Sequence, residues 1–269
     1  MKRPAALVAF AIGLGCATAG AAHGSDRFGR LSLEGVARAF DDAALRVNTA
    51  PATELARWTS PIYLAIAGDA GMSGIAAEAE AAVRTLAAIA QVPVTRVAWH
   101  DARANFLVRP GSGDGVSKSP CRSTVDWTDS GRMVRAEIYV NLENPGRITR
   151  CLNHEAMHSF GFRAHAHAAV SVLSYTHAAQ AEVTAVDRVM LETLYDQRLK
   201  PGMAIAAAAP IACAIIAEKI GASAADTATV CASRGEAPRR GLVALGGSRS
   251  IADTAPRTAL QPSYRDDGL

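Results

Sequence analysis

The chain has 269 residues, of which 28 are Lys or Arg and 25 are Asp or Glu, so its formal net charge is +3. Removing Lys2 and Arg3, which belong to the leader described next, leaves 26 basic residues against 25 acidic ones and a net charge of +1. This balance gives no electrostatic case for binding to nucleic acid or to anionic membranes. The length allows one large or two small domains with a real hydrophobic core.

The N-terminus has the pattern of a secretory signal peptide. Lys2 and Arg3 precede an apolar run from Ala5 to Leu14, and Ala19-Gly20-Ala21 supplies a small-x-small cleavage site. We therefore expect residues 1–21 to be removed and the mature protein to be periplasmic or secreted, without a transmembrane span.

The cysteines agree with export. Cys16 raises the alternative of a lipid anchor, but the leucine and glycine before it stand in the reverse of the usual lipobox order. The even number that remains, Cys121, Cys151, Cys213 and Cys231, predicts two disulfides in an oxidising compartment. Proximity along the chain favours Cys121 with Cys151 and Cys213 with Cys231. The first pair would attach the loop after residue 110 to the segment that begins at Cys151.

The first half of the chain predicts a mixture of helices and strands. An amphipathic helix is expected from Ser32 to Leu45, and a second helix from an N-cap at Ser73 to about Ala90. Strands are predicted at Pro61–Ala67, Thr95–Trp99, Asn105–Arg109 and Met133–Asn141. The glycine-rich run from Gly111 to Lys118 lacks the Gly-Lys-Ser/Thr ending of a phosphate-binding loop, so we expect a flexible surface loop.

Five of the seven histidines lie within Cys151–Tyr175 or just after it. Asn144-Pro145 signals the start of a helix on which His154 and His158, four residues apart, would share one face. Zinc prefers nitrogen ligands, and a catalytic site has three protein ligands with a fourth position for water. Glu155, between the two histidines, would serve as the base that takes a proton from that water.

A third ligand has to come from outside this helix. Gly161 stands where a helix end needs positive φ, so the chain is expected to reverse there and to bring back His165 and His167. We take His165 as the third ligand and keep His167 as the alternative. Cys151, three residues before His154, is a further alternative.

The C-terminal part is predicted to be helical and then polar. Thr184 and Asp187 form a capping-box-like start for a helix to about Leu199. Met203–Ala217 is apolar but short, which favours a core-packing helix over a membrane span. Residues 232–269 lack helical or strand periodicity, so we expect a disordered tail.

These residues resemble the extended zinc motif HExxHxxGxxH of the metzincin metallopeptidases. The sequence departs from that motif by one residue, because Ala164 stands where the third histidine would fall. Ser171–Tyr175 is similar to the Met-turn of astacins and serralysins, with Leu173 in the methionine position and at about the matrixin spacing from His165. Residues 183–196 resemble the closing helix of matrixins and serralysins.

The resemblance implies a fold, a cofactor and a substrate class. The fold would be α+β and metzincin-like: a small mixed twisted sheet with a backing helix and the zinc helix, then a helical C-terminal half. The Met133–Asn141 strand, or the strand next to it, would hold an extended peptide or protein substrate. Tyr175 matches a tyrosine that lies near the zinc in astacins and serralysins and stabilises an oxyanion, although packing alone is the alternative.

The span from about residue 55 to 203 also resembles a bacterial domain family of unknown function related to these peptidases. The resulting division of the chain is 1–21 signal peptide, 22–54 N-terminal helical segment, 55–203 metzincin-like catalytic domain, 204–231 C-terminal helical extension and 232–269 tail. Membership of that family does not imply activity. The leading hypothesis is an exported zinc metallopeptidase, and the alternative is a catalytically inactive, zinc-stabilised binding module of the cell envelope.

Overall fold

The structure is a computed structural model that describes residues 31–47, 50–68, 70–111, 120–143, 147–176 and 180–234. The expected signal peptide, the glycine-rich run at 112–118, the Asn144-Pro145 pair and nearly all of the expected tail therefore lie outside the described residues.

The first helix, α1, is Leu33–Ala44, as the amphipathic pattern predicted. Ser32 is its N-cap, because its hydroxyl accepts a hydrogen bond from the Gly35 N–H at 3.1 Å. Val36 and Phe40 lie on the buried face of the helix. Two short antiparallel strands follow, β1 at Arg46–Val47 and β2 at Ala50–Pro51, which the sequence did not predict.

One five-stranded mixed sheet forms the centre of the fold. Its strands are β3 (Ile62–Ile66), β4 (Val94–Arg96), β5 (Phe106–Pro110), β6 (Cys121–Trp127) and β7 (Met133–Val140). They are arranged in the order β4-β3-β5-β7-β6. All neighbours are parallel except β6, which runs antiparallel to β7 at one edge.

Strand β6 corrects the expectation that Cys121 belongs to a loop. Cys121 is buried and faces the helical side, and Val125 and Trp127 on the same face pack against the core. Side chains two apart in a strand share a face, so one face of β6 packs against the core and the other face is polar.

Four of the remaining helices were expected from the sequence, but one predicted cap and one predicted end were wrong. They are α2 (Ala76–Ala90), α3 (Ile148–Ser159), α4 (Ala185–Leu194) and α5 (Ile205–Ile220), followed by a short α6 (Ala224–Ala232). Ser73 is not the N-cap of α2, because a 3-10 turn precedes the helix and binds the Ile75 N–H to the Met72 carbonyl. Helix α4 ends at Leu194 rather than Leu199, with Tyr195 as its C-cap.

One hydrophobic core joins the helices to one face of the sheet. Its fully buried members include Phe40, Ile62, Leu64, Phe106, Met157, Leu191 and Ile215, which come from α1, β3, β5, α3, α4 and α5. Ala65, Val97 and Leu107 form a separate small cluster on the opposite face. From Ile148 onward the described residues contain helices and no named strand, so the α+β class and the helical C-terminal half are confirmed.

Two disulfides connect the pairs that the sequence favoured. Cys121 in β6 is bonded to Cys151 in α3, and Cys213 in α5 is bonded to Cys231 in α6. The bond at Cys151 rules out its alternative as a thiolate ligand. Disulfides persist in oxidising compartments, so this pair fits an extracellular or periplasmic protein.

None of the helices in the described ranges combines the length and the apolar composition needed to cross a membrane.

Candidate metal centre

Three histidine side chains converge at the C-terminal half of α3. His154 and His158 are one helical turn apart, and their Nε2 atoms lie 3.1 Å from each other. The Nε2 atom of His165 lies 3.3 Å from that of His154. Within the described residues these three histidines form the one group of His, Cys, Asp or Glu side chains able to hold a metal ion.

Gly161 makes the chain reversal that brings His165 back to the helix. Its φ is +110°, which a residue with a side chain rarely adopts. A Cβ at this position would collide with the carbonyl oxygen of Ala56. After the turn, the Ala164 N–H donates to the Ala43 carbonyl at 3.1 Å, which ties the returning chain to the end of α1.

Backbone carbonyls fix the orientation of both helical histidines. The Nδ1 atom of His154 lies 2.7 Å from the Val172 carbonyl oxygen, and that of His158 lies 2.5 Å from the Phe162 carbonyl oxygen. A carbonyl only accepts, so each Nδ1 carries the proton and donates it. Each neutral ring therefore presents the lone pair of Nε2 to the cluster, which is the tautomer that ligates metals.

The spacing of the nitrogens fits a tetrahedral ion. Two ligands that are each about 2.0–2.1 Å from a tetrahedral zinc lie about 3.3 Å from each other. The observed separations of 3.1 and 3.3 Å match this value. Imidazole nitrogens suit zinc and also copper, iron and nickel, so the donor set indicates a transition metal without naming it.

Burial keeps the three rings neutral. It lowers the pKa of His154 and of His158 from the usual 6.5 to about 4. Burial, reinforced by the neighbouring His158, lowers the pKa of His165 to about 2. At neutral pH all three rings therefore offer lone pairs rather than protons.

Glu155 lies on the side of α3 that faces β6. Its side chain is half-buried, and the Ser123 hydroxyl donates to its Oε2 atom at 2.6 Å. Ser123 was not predicted as part of the site, because the strand that carries it was not predicted.

Tyr175 and His167 lie next to the cluster. The Tyr175 ring is 4.3 Å from the His165 ring, centroid to centroid, and 5.8 Å from the His154 ring. The His167 ring is exposed and its centroid is 6.1 Å from that of His165. The structure thus brings His165 rather than His167 into the group, while a catalytic role for Tyr175 stays a prediction.

A buried carboxylate supports the loop beneath the histidines. Asp187 accepts hydrogen bonds from the Ser171 hydroxyl at 2.5 Å, the Val172 N–H at 3.1 Å and the Thr184 N–H at 2.8 Å. The capping box predicted at Thr184 and Asp187 is confirmed. The capping pattern did not reveal that the same carboxylate also holds the residue whose carbonyl orients His154.

The comparisons with known proteins place this site within one family. No curated protein and no solved structure matches the chain. Residues 34–213, more than half of the chain, match the family described as "Protein of unknown function (DUF2927)", and they include every residue of the histidine cluster and the site around it. The chain therefore belongs to the DUF2927 family.

Proposed function

We propose that the protein is an exported, zinc-dependent metallopeptidase. His154, His158 and His165 would hold the metal, and Glu155 would act as the general base. The observation that carries this proposal is the convergence of three imidazoles, with two Nε2 separations at the spacing of a tetrahedral ion, next to Glu155, whose charge acts on His158.

The ligand count supports a catalytic rather than a structural ion. Structural zinc sites are closed by four protein ligands, whereas catalytic sites have three and leave one position for water or substrate. In the described part of the chain, no fourth His, Cys, Asp or Glu joins the three histidines. When bound, the metal supplies acidification of a coordinated water and polarisation of a carbonyl.

The side chains of the protein supply the remaining chemistry. Glu155 takes a proton from the attacking water and returns it to the leaving amine of the peptide. The Tyr175 hydroxyl is assigned to stabilise the developing oxyanion, because its ring packs on His165 at the edge of the cluster. No side-chain nucleophile is required.

We assign a metzincin-type fold and an extended peptide substrate to this site. The mixed sheet with one antiparallel edge strand, the turn at Gly161 and the buried Leu173, whose carbonyl accepts from the Ala166 N–H next to His165, support this assignment. Strand β7 is paired on both sides, by β5 and β6, so it cannot accept a peptide. The outer edge of β6 would hold the substrate by main-chain hydrogen bonds.

A second candidate is a zinc-stabilised envelope binding module that does not hydrolyse peptides. Two departures from the peptidase pattern favour it: Ala164 stands in the place of the third histidine, and Leu173 replaces the methionine of the turn. A specific partner bound with stoichiometric zinc and no turnover would support this candidate.

The test is cleavage of a mixed peptide library by the purified mature protein, with and without a chelator. We expect cleavage that the chelator abolishes and that zinc restores. Glu155→Gln should lower kcat by a factor on the order of 10²–10⁴ while the metal stays bound. Glu34→Gln, at an exposed ion pair on α1, is the matched control and should cleave normally. A wild-type kcat in Glu155→Gln, or no turnover by the wild type at all, would contradict the peptidase proposal.

A further inference from the structure

Two adjacent contacts connect the inner face of β6 to α3. The first is the Cys121–Cys151 disulfide, and the second is the hydrogen bond from the Ser123 hydroxyl to Oε2 of Glu155 at 2.6 Å. The strand positions are two residues apart and the helix positions are four residues apart. Each pair therefore lies on one face of its own element.

The spacings of the two elements match. Two residues of strand span about 6.6–6.8 Å. Four residues of helix span about 6 Å. The disulfide and the hydrogen bond can consequently form together only when β6 and α3 keep one register. A shift of β6 by one residue would turn the Ser123 side chain to the opposite face of the sheet.

Strand β6 depends on this attachment because it lies at the edge of the sheet. Among the described residues it is hydrogen-bonded on one side only, to β7, and its pairing has an irregularity at Asp126 and Trp127. The disulfide joins the start of β6 covalently to the first half of α3. Edge strands lack the second neighbour that fixes internal strands, so a covalent bond adds the missing constraint.

The hydrogen bond to Oε2 fixes the orientation of the Glu155 carboxylate. The terminal torsion of a glutamate is broad and has no sharp staggered wells, so packing alone orients the carboxylate poorly. A donor at a set position selects one orientation. Misplacement of a reacting group by about 1 Å costs on the order of 10²-fold in rate.

We propose that Ser123 is a positioning residue for Glu155, and that the Cys121–Cys151 disulfide sets the strand-to-helix register on which this contact depends. The inference rests on the proposed role of Glu155 as general base. It gives the disulfide a role in positioning Glu155, in addition to its contribution to stability.

Kinetics of hydroxyl variants test the positioning role. Ser123→Ala should lower kcat on the order of 10-fold, with KM and the zinc content unchanged. Ser123→Thr keeps a hydroxyl in a strand and should recover most of the lost kcat. Thr95→Ala removes an exposed hydroxyl from β4, the edge strand at the opposite side of the sheet, and should match the wild type. A Ser123→Ala variant with wild-type kcat would overturn the inference.

A double-mutant cycle tests the contact without peptide cleavage. The losses in Tm caused by Ser123→Ala and Glu155→Ala should be less than additive in the double variant, because each single change already breaks the same hydrogen bond. Additive losses would overturn the inference. If the wild type cleaves no peptide, the proposed function fails, and this cycle still decides whether Ser123 holds Glu155.

The two disulfides supply a matched comparison. Below the melting temperature of both variants, Cys121→Ala with Cys151→Ala should lower kcat, and adding Ser123→Ala should cause little further loss. Cys213→Ala with Cys231→Ala, in α5 and α6, should keep the wild-type kcat. An equal kcat in the two double variants would overturn the role given to the Cys121–Cys151 bond. If the first double variant does not fold, the Ser123 variants decide.

Discussion

Each helical histidine uses its two ring nitrogens for different partners. Nδ1 donates to a backbone carbonyl, of Val172 for His154 and of Phe162 for His158, and Nε2 faces the cluster. Outer hydrogen bonds of this kind fix the tautomer and raise the basicity of a ligand. The two carbonyls lie in the chain that follows α3, so the orientation of both rings depends on how that chain folds back.

At the scale of single residues, replacing His165 and His167 one at a time shows which of the two rings binds the metal. His165→Ala removes a nitrogen that lies 3.3 Å from that of His154, so this variant should lose bound zinc. His167→Ala changes an exposed ring outside the cluster and should keep zinc. Elemental analysis of both purified variants measures the difference. Zinc lost from His167→Ala and kept in His165→Ala would reverse our assignment.

Tyr175→Phe tests the hydroxyl of the tyrosine while preserving its ring on His165. If the hydroxyl stabilises the oxyanion, kcat should fall on the order of 10²-fold with little change in Tm. Peptide-cleavage kinetics and a melting curve measure both quantities. A variant with wild-type kcat would leave Tyr175 as a packing residue, which was the alternative interpretation of the sequence.

At the scale of elements, the N-terminus of α4 and the loop 171–174 act as one support. The buried Asp187 carboxylate accepts from Ser171, Val172 and Thr184, and the Val172 carbonyl in turn accepts from His154. A helix cap and the His154 ring are therefore joined through Val172. Loss of the Asp187 hydrogen bonds should therefore displace His154 and weaken metal binding at the proposed site.

Asp187→Asn replaces one accepting oxygen by an NH₂ group. That group is itself a donor, so it cannot accept the hydrogen bonds that the loop and the cap donate to Asp187. Leaving buried donors unpaired costs about 1–3 kcal/mol, so the Tm should fall. Zinc affinity should fall roughly 10–100-fold, as when an outer partner of a ligand is lost. Glu192→Gln, on the same helix and in a partly exposed ion pair with Lys219, is the control and should change neither quantity appreciably. Unchanged zinc affinity in Asp187→Asn would contradict the link through Val172.

Local sequence patterns predicted some helices and strands and missed others. Periodicity located α1 and β7, apolar runs located β3, β5 and α5, and the four-residue spacing placed His154 and His158 on one face. Strand β6 was missed because its inner residues are a cysteine, a serine, a valine and a tryptophan, which form no plain apolar alternation. Ser123 was missed with it, since its contact with Glu155 joins residues 32 positions apart.

At the scale of the whole molecule, one core joins α1, the sheet and the helices that follow it. The chain approaches the histidine cluster from three directions: along α3, through the turn at Gly161, and through the loop held by α4. One disulfide connects the edge of the sheet to α3, and the other connects the last two helices. Both bonds fit a protein that folds in an oxidising compartment outside the cytoplasm.

The metal-free protein should lose stability as the pH falls below 6.5. Burial holds the pKa of His154 and His158 near 4 in the folded protein, below the usual 6.5, so the unfolded chain binds more protons between these values. His165 acts in the same direction. Asp41 and Asp187 oppose them, because burial raises the pKa of both carboxyls, to about 6 for Asp41. The carboxyls of Asp101 and Asp196, whose pKa is held near 2 by hydrogen bonds to Arg103 and Arg198, act in the same direction as the histidines.

Denaturant unfolding of the metal-free and zinc-loaded protein between pH 7 and pH 4 measures this dependence. We expect the free energy of unfolding of the metal-free form to decrease steadily, and bound zinc to shift the decrease to lower pH because the metal competes with protons for Nε2. A metal-free form whose stability does not change over this range would show that the three rings are not buried in the neutral state.

The central claim is that three imidazoles hold one transition-metal ion. X-ray absorption at the zinc edge, on mature protein supplied with zinc and assayed for metal content, tests it most directly. We predict one zinc per chain, with three imidazole nitrogens at about 2.0–2.1 Å and one oxygen ligand. A protein that binds no metal, or a zinc without three histidine ligands, would contradict the account.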